Sequence, residues 1–463
     1  MKLDMKKILL VFLTISVLFT ACKDNAEDFV PTNPSISQIV PSMALANETV
    51  SLKGKRFAKD AGANIVKFAG VRAEVLTASD TLLTVKVPAE GSTGNVTITV
   101  NERTSKGPLF TYGAVQLEFN YVTSTYAGTG IVGDTYGTLT EAQFMLPNGV
   151  AFDPSTGDLI VTDRTGQSIK RISKEGMVTK IAGTGAKGSV NGALSVATFN
   201  NPYKSAVDKH GNIYVADNGS NSVRKIDFTT NTVSTLAGGN ATGAFADGQG
   251  TNARFNTITG IAVDEDGFVY VADAVNHAVR KISPTGMVTT LAGNGTEGII
   301  DGEWPNVRMG RPTAVCVGKD GFVYAADRYG QRIRKINRHT GKTVTIAGSG
   351  GSTSSTGAQV DGEALKARFN NPWGIEAAAD GTIYVSELGA SGSATHTIRM
   401  IKDGIVSTIA GNASFKAPGY VNGIQGISRF NNPTDLAVDN EGNIYVGDMN
   451  NYVIRKITKV PKP

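Results

Sequence analysis

A stretch of about fifty residues recurs six times along most of this chain, and it constrains the fold more than any other feature. Its clearest copy spans residues 247–295 and reads DGQGTNARFNTITGIAVDEDGFVYVADAVNHAVRKISPTGMVTTLAGNG. Four short runs in this copy are rich in Val, Ile, Tyr and Thr, which favour strands. Gly, Asp, Asn and Pro separate the runs, and they favour turns. The repeat therefore predicts a unit of four short strands.

Each copy carries an acidic residue at the end of its second strand and a basic residue farther along. The six pairs are Asp163/Lys170, Asp217/Arg224, Asp273/Arg280, Asp327/Arg334, Glu387/Arg399 and Asp448/Arg455. A four-stranded sheet with two apolar faces has to stack on its neighbours, so the repeat predicts the blades of a β-propeller. A feature present in every blade serves the repeat itself, so we interpret the pairs as structural rather than as a metal site.

The IYVAD-type second strand and the IRKI-type third strand resemble the NHL repeat family across residues 114–463. The resemblance implies a six-bladed propeller. The last copy stops at Ile457-Thr458-Lys459 without a fourth strand, while residues 122–128 form a strand that no copy uses. We expect this N-terminal strand to pair with the last blade and close the ring, since closure leaves no open sheet edge.

Residues 34–113 contain short strands with alternating polar and apolar residues, which is typical of a β-sandwich. The runs LKGKRF from Leu52, VKFAG from Val66 and FTY from Phe110 resemble an IPT/TIG immunoglobulin-like domain. The resemblance implies a spacer. The expected fold class is all-β: an N-terminal immunoglobulin-like (IPT/TIG) sandwich followed by a six-bladed NHL-type β-propeller.

Residues 1–21 have the pattern of a targeting segment, with a positive start and a short apolar run. The run ends in Phe-Thr-Ala-Cys, which resembles the lipobox of bacterial lipoproteins and implies a diacylated Cys22 followed by a linker over residues 22–33. The sequence KDNAED after Cys22 resembles the export tags of surface lipoproteins. These resemblances predict a lipid-anchored protein at the outer membrane or cell surface of a Gram-negative bacterium. A cleaved secretory signal with an incidental cysteine is the alternative.

The formal net charge is +5, and loss of residues 1–21 would leave +3. So small and dispersed a charge argues against nucleic acid as a partner. The lipid anchor is the only membrane attachment that we expect. The two cysteines, Cys22 and Cys316, provide no disulfide framework, and Cys316 lies in an apolar strand.

Positions that differ between copies are better candidates for a binding site than positions that repeat. Immediately after the Phe-x-x-Pro position the six copies have Asn148, Tyr203, Thr259, Thr313, Trp373 and Thr434. Tyr203 and Trp373 are three blades apart, so we expect them to face each other across the central opening. Either they form a platform for a sugar ring or an apolar ligand, or they fill the channel mouth as packing.

Two arginines and a second tryptophan complete the candidate binding residues. Arg164 and Arg328 follow the acidic residues of copies one and four, and they could donate hydrogen bonds to an acidic or hydroxyl-rich ligand. The alternative is that they are ordinary surface arginines. Trp304 precedes the fourth copy and is either exposed or packed.

No residue set in the sequence predicts catalysis or a cofactor. His277 and His396 share one repeat position whose other members are merely polar, and His210 and His339 lie in turns. A catalytic zinc ion requires three converging ligands, so we expect no metal, and no nucleophile motif is present.

We therefore expect a non-catalytic binding protein of the cell surface, with the propeller face as the binding site and the sandwich as its stalk. The combination resembles accessory proteins of polysaccharide-capture systems, which favours an extracellular glycan as the ligand. A surface protein as the partner is the first alternative. A lyase or lactonase working at the channel mouth is the second.

Overall fold

A computed structural model of the protein describes residues 33–44, 47–88, 93–112, 119–239, 242–350, 359–388, 395–412 and 417–461. The expected targeting segment 1–21, the lipidated Cys22 and the linker up to residue 32 lie outside the described residues. Within them, regular structure consists of strands and a few 3₁₀ turns, and no helix is long and apolar enough to cross a membrane. The 3₁₀ turns are Ala61–Ala63, Asn218–Ser220, Gly250–Asn252, Ala274–Asn276 and Met449–Asn451.

The chain divides into two compact units, and the first is a β-sandwich that ends at Tyr112. The strands of one sheet run in the order Ser35–Val40, Thr49–Lys55, Leu82–Lys86 and Glu74–Ala78. Those of the other sheet are Met43–Ala44, Arg103–Tyr112, Gly94–Val100, Ile65–Phe68 and Val71–Arg72. The alternation in Gly94–Val100 places Val96 and Ile98 in the core between the sheets, where the rings of Phe68 and Phe110 meet edge to face.

The second unit is a ring of six antiparallel sheets, the blades. Each blade has an inner, a second, a third and an outer strand. The inner strands are Pro147–Phe152, Pro202–Val207, Ile258–Val263, Pro312–Val317, Pro372–Ala377 and Pro433–Val438. The second strands are Leu159–Asp163, Ile213–Asp217, Val269–Asp273, Phe322–Asp327, Ile383–Glu387 and Ile444–Asp448.

The third strands are Ser168–Ile172, Ser222–Asp227, Ala278–Ile282, Arg332–Asn337, Thr397–Lys402 and Val453–Pro461. The outer strands of blades one to five are Met177–Ala182, Thr232–Gly238, Met287–Ala292, Thr343–Ala347 and Ile405–Ala410. Short two-residue strands extend five of the blades at their outer edge, at Gly137–Thr138, Gly192–Ala193, Gly248–Gln249, Gly362–Glu363 and Gly423–Ile424. The all-β fold class expected from the sequence is confirmed.

The outer strand of blade six comes from the start of the propeller. Phe119–Ala127 pairs antiparallel with Val453–Pro461, with Thr123 opposite Ile457. The strand expected at residues 122–128 therefore begins at Phe119. Each inner strand contacts the inner strands of its neighbours, and those of blades one and six contact each other, so the ring is continuous. Closure satisfies the sheet edges that an open ring would expose.

The hydrophobic core lies between adjacent blades rather than within them. One cluster joins Val223 and Ala216 of blade two to Val271 and Ile282 of blade three, and the other neighbouring blades form equivalent clusters. Both faces of each sheet are therefore buried. This arrangement is the physical reason why every copy of the repeat needs a neighbour.

The six acid–base pairs of the repeat, here called the frame pairs, are buried at the end of each second strand. In blade three, Asp273 lies 2.7 Å from Arg280, and both side chains are fully buried. Asp273 also accepts a hydrogen bond from the backbone N–H of Asn256, just before the inner strand. Arg280 donates to the carbonyls of Arg254 and Ala246. Each pair therefore ties the inner strand to the rest of its blade.

The other five blades repeat this arrangement with fully buried partners 2.7–3.5 Å apart. Burial raises the pKa of Asp273 to about 6, while Arg280 and the hydrogen-bond donors oppose that rise. Such a charge is tolerated only because its partners are fixed. The frame pairs have the structural role that their presence in every blade indicates.

Candidate functional site

One end of the central channel, here called the mouth, collects several residues that differ between blades. All six inner strands begin at this end. The second strands run antiparallel to them, so they finish there with the acidic residue of the frame pair. The residue after that acid and the first residues of the inner strand consequently share one opening. Tyr203, Trp373, Arg164 and Arg328 all occupy such positions.

Blades one and two contribute an arginine and a tyrosine that stack on each other. The guanidinium carbon of Arg164 lies 4.3 Å from the centre of the Tyr203 ring. Both side chains are half-buried. The Arg164 backbone N–H is held by the Leu146 carbonyl. This stacking fixes the orientation of the tyrosine ring at the mouth.

Blades four and five form a second stack of the same kind. The guanidinium carbon of Arg328 lies 5.0 Å from the centre of the Trp373 ring. Arg328 Nε donates to the side-chain oxygen of Asn371, whose amide nitrogen donates to the Leu388 carbonyl at 2.6 Å. Trp373 is half-buried, as Tyr203 is. The two aromatic residues therefore have matching arginine partners.

A third arginine, Arg311, belongs to the same group and was not among the residues proposed from the sequence. Its guanidinium donates to the Tyr329 hydroxyl at 2.9 Å, and Arg328 lies 5.4 Å from the Tyr329 ring centre. The sequence signal was the departure of copy four from Phe-x-x-Pro, which reads Met309-Gly310-Arg311-Pro312. In four other copies, the residue immediately before the inner strand is Asn or Thr and has a left-handed backbone. These residues are Asn201, Thr257, Asn371 and Asn432.

The position of Arg328 disfavours its positive charge. Burial is the main cause that lowers the pKa of Arg328, and the like charge of Arg311 lowers it further. Tyr329 and Tyr203 oppose the shift. Tyr203 of blade two and Arg328 of blade four therefore lie at the same opening. The structure brings Tyr203, Trp373, Arg164 and Arg328 together at that mouth.

Below the mouth the channel holds a cavity of about 180 Å³ with a buried ion pair in its wall. Lys204 Nζ lies 2.7 Å from Asp435 Oδ1, and both residues are buried. The other Asp435 oxygen accepts from the Val150 N–H at 3.0 Å. The equivalent positions in the remaining blades are Gly149, Gly260, Ala314 and Gly374. The charged pair therefore occurs at a repeat position where the other blades have glycine or alanine. Alignment of the six copies at this position could have revealed it from the sequence.

Glu376 lies deeper in the same cavity, beside the ion pair. Its side chain is half-buried in the channel wall. Burial raises the pKa of Glu376 to about 8, and the neighbouring charge of Asp435 adds to the rise. Its carboxyl group is therefore mostly protonated at neutral pH. Cys316 lines the cavity too, and burial raises the pKa of its thiol well above the ordinary value.

Trp304 lies away from the mouth. Its side chain is 56% exposed and lines two clefts of about 420 and 340 Å³ along the outer strand of blade three. Lys281, Arg338 and His339 form part of the first cleft, and Phe245 forms part of the second. A site built from Tyr203 and Trp373 therefore does not include Trp304.

The histidine position of the repeat connects neighbouring blades. His396 Nδ1 accepts from the Asn432 backbone N–H at 3.0 Å, as Gln167 does from Asn201 and Gln331 from Asn371. Burial lowers the pKa of His396 to about 4, so its ring is neutral. Among the described residues, no group of three or more His, Cys, Asp or Glu side chains is arranged to hold a metal ion.

Two protein-family models match parts of the chain. The IPT/TIG domain matches residues 34–112, and the NHL repeat matches residues 255–282 and 430–456. The first match covers the β-sandwich, and the two NHL matches cover the inner and second strands of blades three and six and all or part of their third strands.

Curated proteins with similar sequences include the chloroplastic Protein SUPPRESSOR OF QUENCHING 1 of Arabidopsis thaliana. It is 27% identical over 349 residues, which are 73% of this chain and 32% of that protein. NHL repeat-containing protein 2 of Bos taurus is 23% identical over 400 residues, 79% of this chain and 54% of that protein. The chain thus spans about a third to a half of the length of these relatives.

Solved structures with the same fold include two proteins from Bacteroides thetaiotaomicron. One is a structural genomics protein of unknown function, with a TM-score of 0.54, 21% identity, and coverage of 93% of this chain and 99% of that chain. The other is an auxiliary nutrient binding protein, with a TM-score of 0.55, 17% identity, and coverage of 93% and 98%. At these identities the likeness establishes the fold.

Proposed function

We propose that this protein binds a carbohydrate at the mouth of its propeller and performs no catalysis itself. The observation that carries the proposal is the pair of half-buried aromatic rings, Tyr203 and Trp373, each stacked against an arginine at one opening. A rigid aromatic ring that reaches water is a good platform for the C–H face of a sugar. Arginine behind or beside it supplies hydrogen-bond donors for hydroxyl groups.

A protein of the same fold and the segments that precede the propeller support the same function. The name auxiliary nutrient binding protein, carried by a protein of the same fold, suggests capture of a nutrient. We propose that diacylated Cys22 anchors the chain to the outer membrane and that the IPT/TIG domain acts as a spacer. Replacement of Cys22 by Ala should move the protein from the membrane fraction to the soluble fraction and remove palmitate labelling. Unchanged membrane association would contradict the anchor.

Binding is tested by affinity gel electrophoresis of the mature chain against a panel of neutral and acidic polysaccharides. At least one polysaccharide should retard the wild-type protein, and Trp373→Ala should abolish that retardation because the platform is removed. Trp304→Ala is the matched control and should run as the wild type. Thermal melting of each variant shows that it is folded.

Unchanged retardation of Trp373→Ala would remove the mouth as the binding site. Failure of every polysaccharide to retard the wild type would remove the carbohydrate proposal. The same mixtures are assayed for new reducing ends and unsaturated products. Either product would favour a lyase or hydrolase and contradict a purely binding role.

A protein partner is the second candidate, favoured by the apolar surface around Trp304. Trp304 and Phe245 are 56% and 41% exposed and line one cleft of about 340 Å³. Exposed aromatic residues of this kind mark interaction surfaces. A partner that crosslinks at the surface of wild-type cells, and is lost with Trp304→Ala, would support this candidate.

A further inference from the structure

Three guanidinium groups at the mouth have no carboxylate partner among the described residues. Arg164 stacks on Tyr203, Arg311 donates to Tyr329, and Arg328 donates to Asn371. The arginines of the frame pairs differ, because each of them has a buried carboxylate within 3.5 Å. The positive charge at the mouth is therefore left without a counter-charge from this part of the protein.

The channel beneath the mouth supplies no compensating negative charge. Lys204 and Asp435 neutralise each other in their ion pair. Glu376 is mostly uncharged at neutral pH because its pKa is raised to about 8. The mouth and upper channel consequently carry a net positive charge at neutral pH. A small site that concentrates one sign of charge attracts an anionic ligand.

The environment of Arg328 disfavours its own positive charge. Burial and the like charge of Arg311 both lower the pKa of Arg328. An anion beside Arg328 would offset both effects.

We infer that the mouth binds an acidic saccharide, with a carboxylate held by Arg328 and Arg311 and a sugar ring against Trp373 or Tyr203. The planar guanidinium group of arginine matches the two oxygens of a carboxylate. The inference rests on the proposed carbohydrate binding and names the class of sugar. The ligand is a saccharide that contains uronic acid residues.

The experiment compares polygalacturonate with its fully methyl-esterified form, which keeps the same chain but has no charge. Alginate and hyaluronan, with their methyl esters, extend the comparison to other uronic acids. Binding is measured by affinity gel electrophoresis and by titration calorimetry with the wild type, Arg328→Gln, Arg311→Gln and Arg308→Gln. Arg308 is an exposed arginine of the same blade and serves as the matched control.

At least one free acid should bind, and esterification should weaken it about 10- to 100-fold, as expected for loss of charge-assisted hydrogen bonds. Arg328→Gln and Arg311→Gln should weaken binding of the acid by similar factors and weaken any binding of the ester by less, so the difference between acid and ester should shrink. Arg308→Gln should bind as the wild type. A melting curve establishes that each variant is folded.

Equal binding of acid and ester would overturn the acidic saccharide while leaving carbohydrate binding intact. So would binding restricted to neutral polysaccharides. Absence of binding to every polysaccharide, neutral or acidic, would overturn both proposals. Equal loss with Arg308→Gln would show that general surface charge, and not the mouth, attracts the acid.

Discussion

Among the described residues of the propeller, two kinds of buried ion pair differ in how often they occur. A frame pair such as Asp273–Arg280 is present in every blade and is held by backbone groups on several sides. The Lys204–Asp435 pair occurs once, between blades two and six, where the other blades have glycine or alanine. A feature required by the repeat appears in all copies. A single-copy charge is not required by the repeat, so the small residues of the other blades should be able to replace it.

The largest effect should come from removing one member of a frame pair. Arg280→Met leaves Asp273 buried without its cation. It also leaves the two backbone carbonyls that accept from Arg280 without a donor. We expect the free energy of unfolding to fall by about 3–5 kcal/mol, as for other broken buried pairs. Urea denaturation measures the change, with Arg308→Met as the exposed control. A loss below about 1 kcal/mol would show that the frame pairs do not hold the blades.

The channel pair should respond differently to single and double replacement. Asp435→Asn alone leaves Lys204 with an uncharged acceptor, so it should cost about 2 kcal/mol of unfolding free energy. The double variant Lys204→Ala/Asp435→Ala restores the small residues of the other blades, so its stability should return to within about 1 kcal/mol of the wild type. The matching double variant at Asp273 and Arg280 should not recover. Equal behaviour of the two double variants would abolish the distinction between the pairs.

Tyr203→Ala should affect binding more than folding. Loss of the ring should weaken binding of a retained polysaccharide about tenfold, close to the value of one aromatic contact. Titration calorimetry gives the affinity, and Trp304→Ala should change it less than about twofold because Trp304 lies in other clefts. The reverse ranking of these two variants would move the site from the mouth to the outer clefts.

The smallest effect concerns the pH dependence of stability. The pKa of Glu376 in the folded protein is raised to about 8. The contribution of its protonated carboxyl group to folding stability is therefore complete below the pKa of the unfolded chain, and it is lost as pH rises through 8. Glu376→Gln removes that loss. The variant should be similar to the wild type at pH 5 and more stable by at least about 1 kcal/mol at pH 9. Thermal melts across this range test it, and a difference that does not change with pH would contradict the assignment.

The sequence predicted the fold well because the fold depends on features that repeat. The second strand, the third strand and the acidic residue recur in each copy, so their register identified the blades. The unpaired strand near Thr123 and the missing strand after Ile457 indicated how the ring closes, and these residues are opposite each other. Positions shared by six copies leave little ambiguity.

The candidate site was predicted only in part because it depends on contacts between blades far apart in sequence. The aromatic residues were visible as large side chains in a column of small ones. The contact between Arg311 and Tyr329 could not be predicted from the sequence, because it depends on the backbone conformation of blade four. That blade lacks the left-handed residue found before the inner strand in four other blades. The net charge of the whole chain gave no sign that three arginines share one opening. The Lys204–Asp435 pair joins residues 231 positions apart, a contact that only the closed ring creates.

Hydrogen exchange of the backbone with and without trigalacturonate tests the central claim most directly. The claim is that the single-copy residues of the mouth hold the ligand. We predict slower exchange in peptides that cover residues 201–205, 310–314 and 371–375, where the inner strands of blades two, four and five begin. The outer strand Met287–Ala292 and the Trp304 loop should exchange as in the free protein. Protection confined to that outer strand and loop, or no protection at a saturating concentration, would contradict the account.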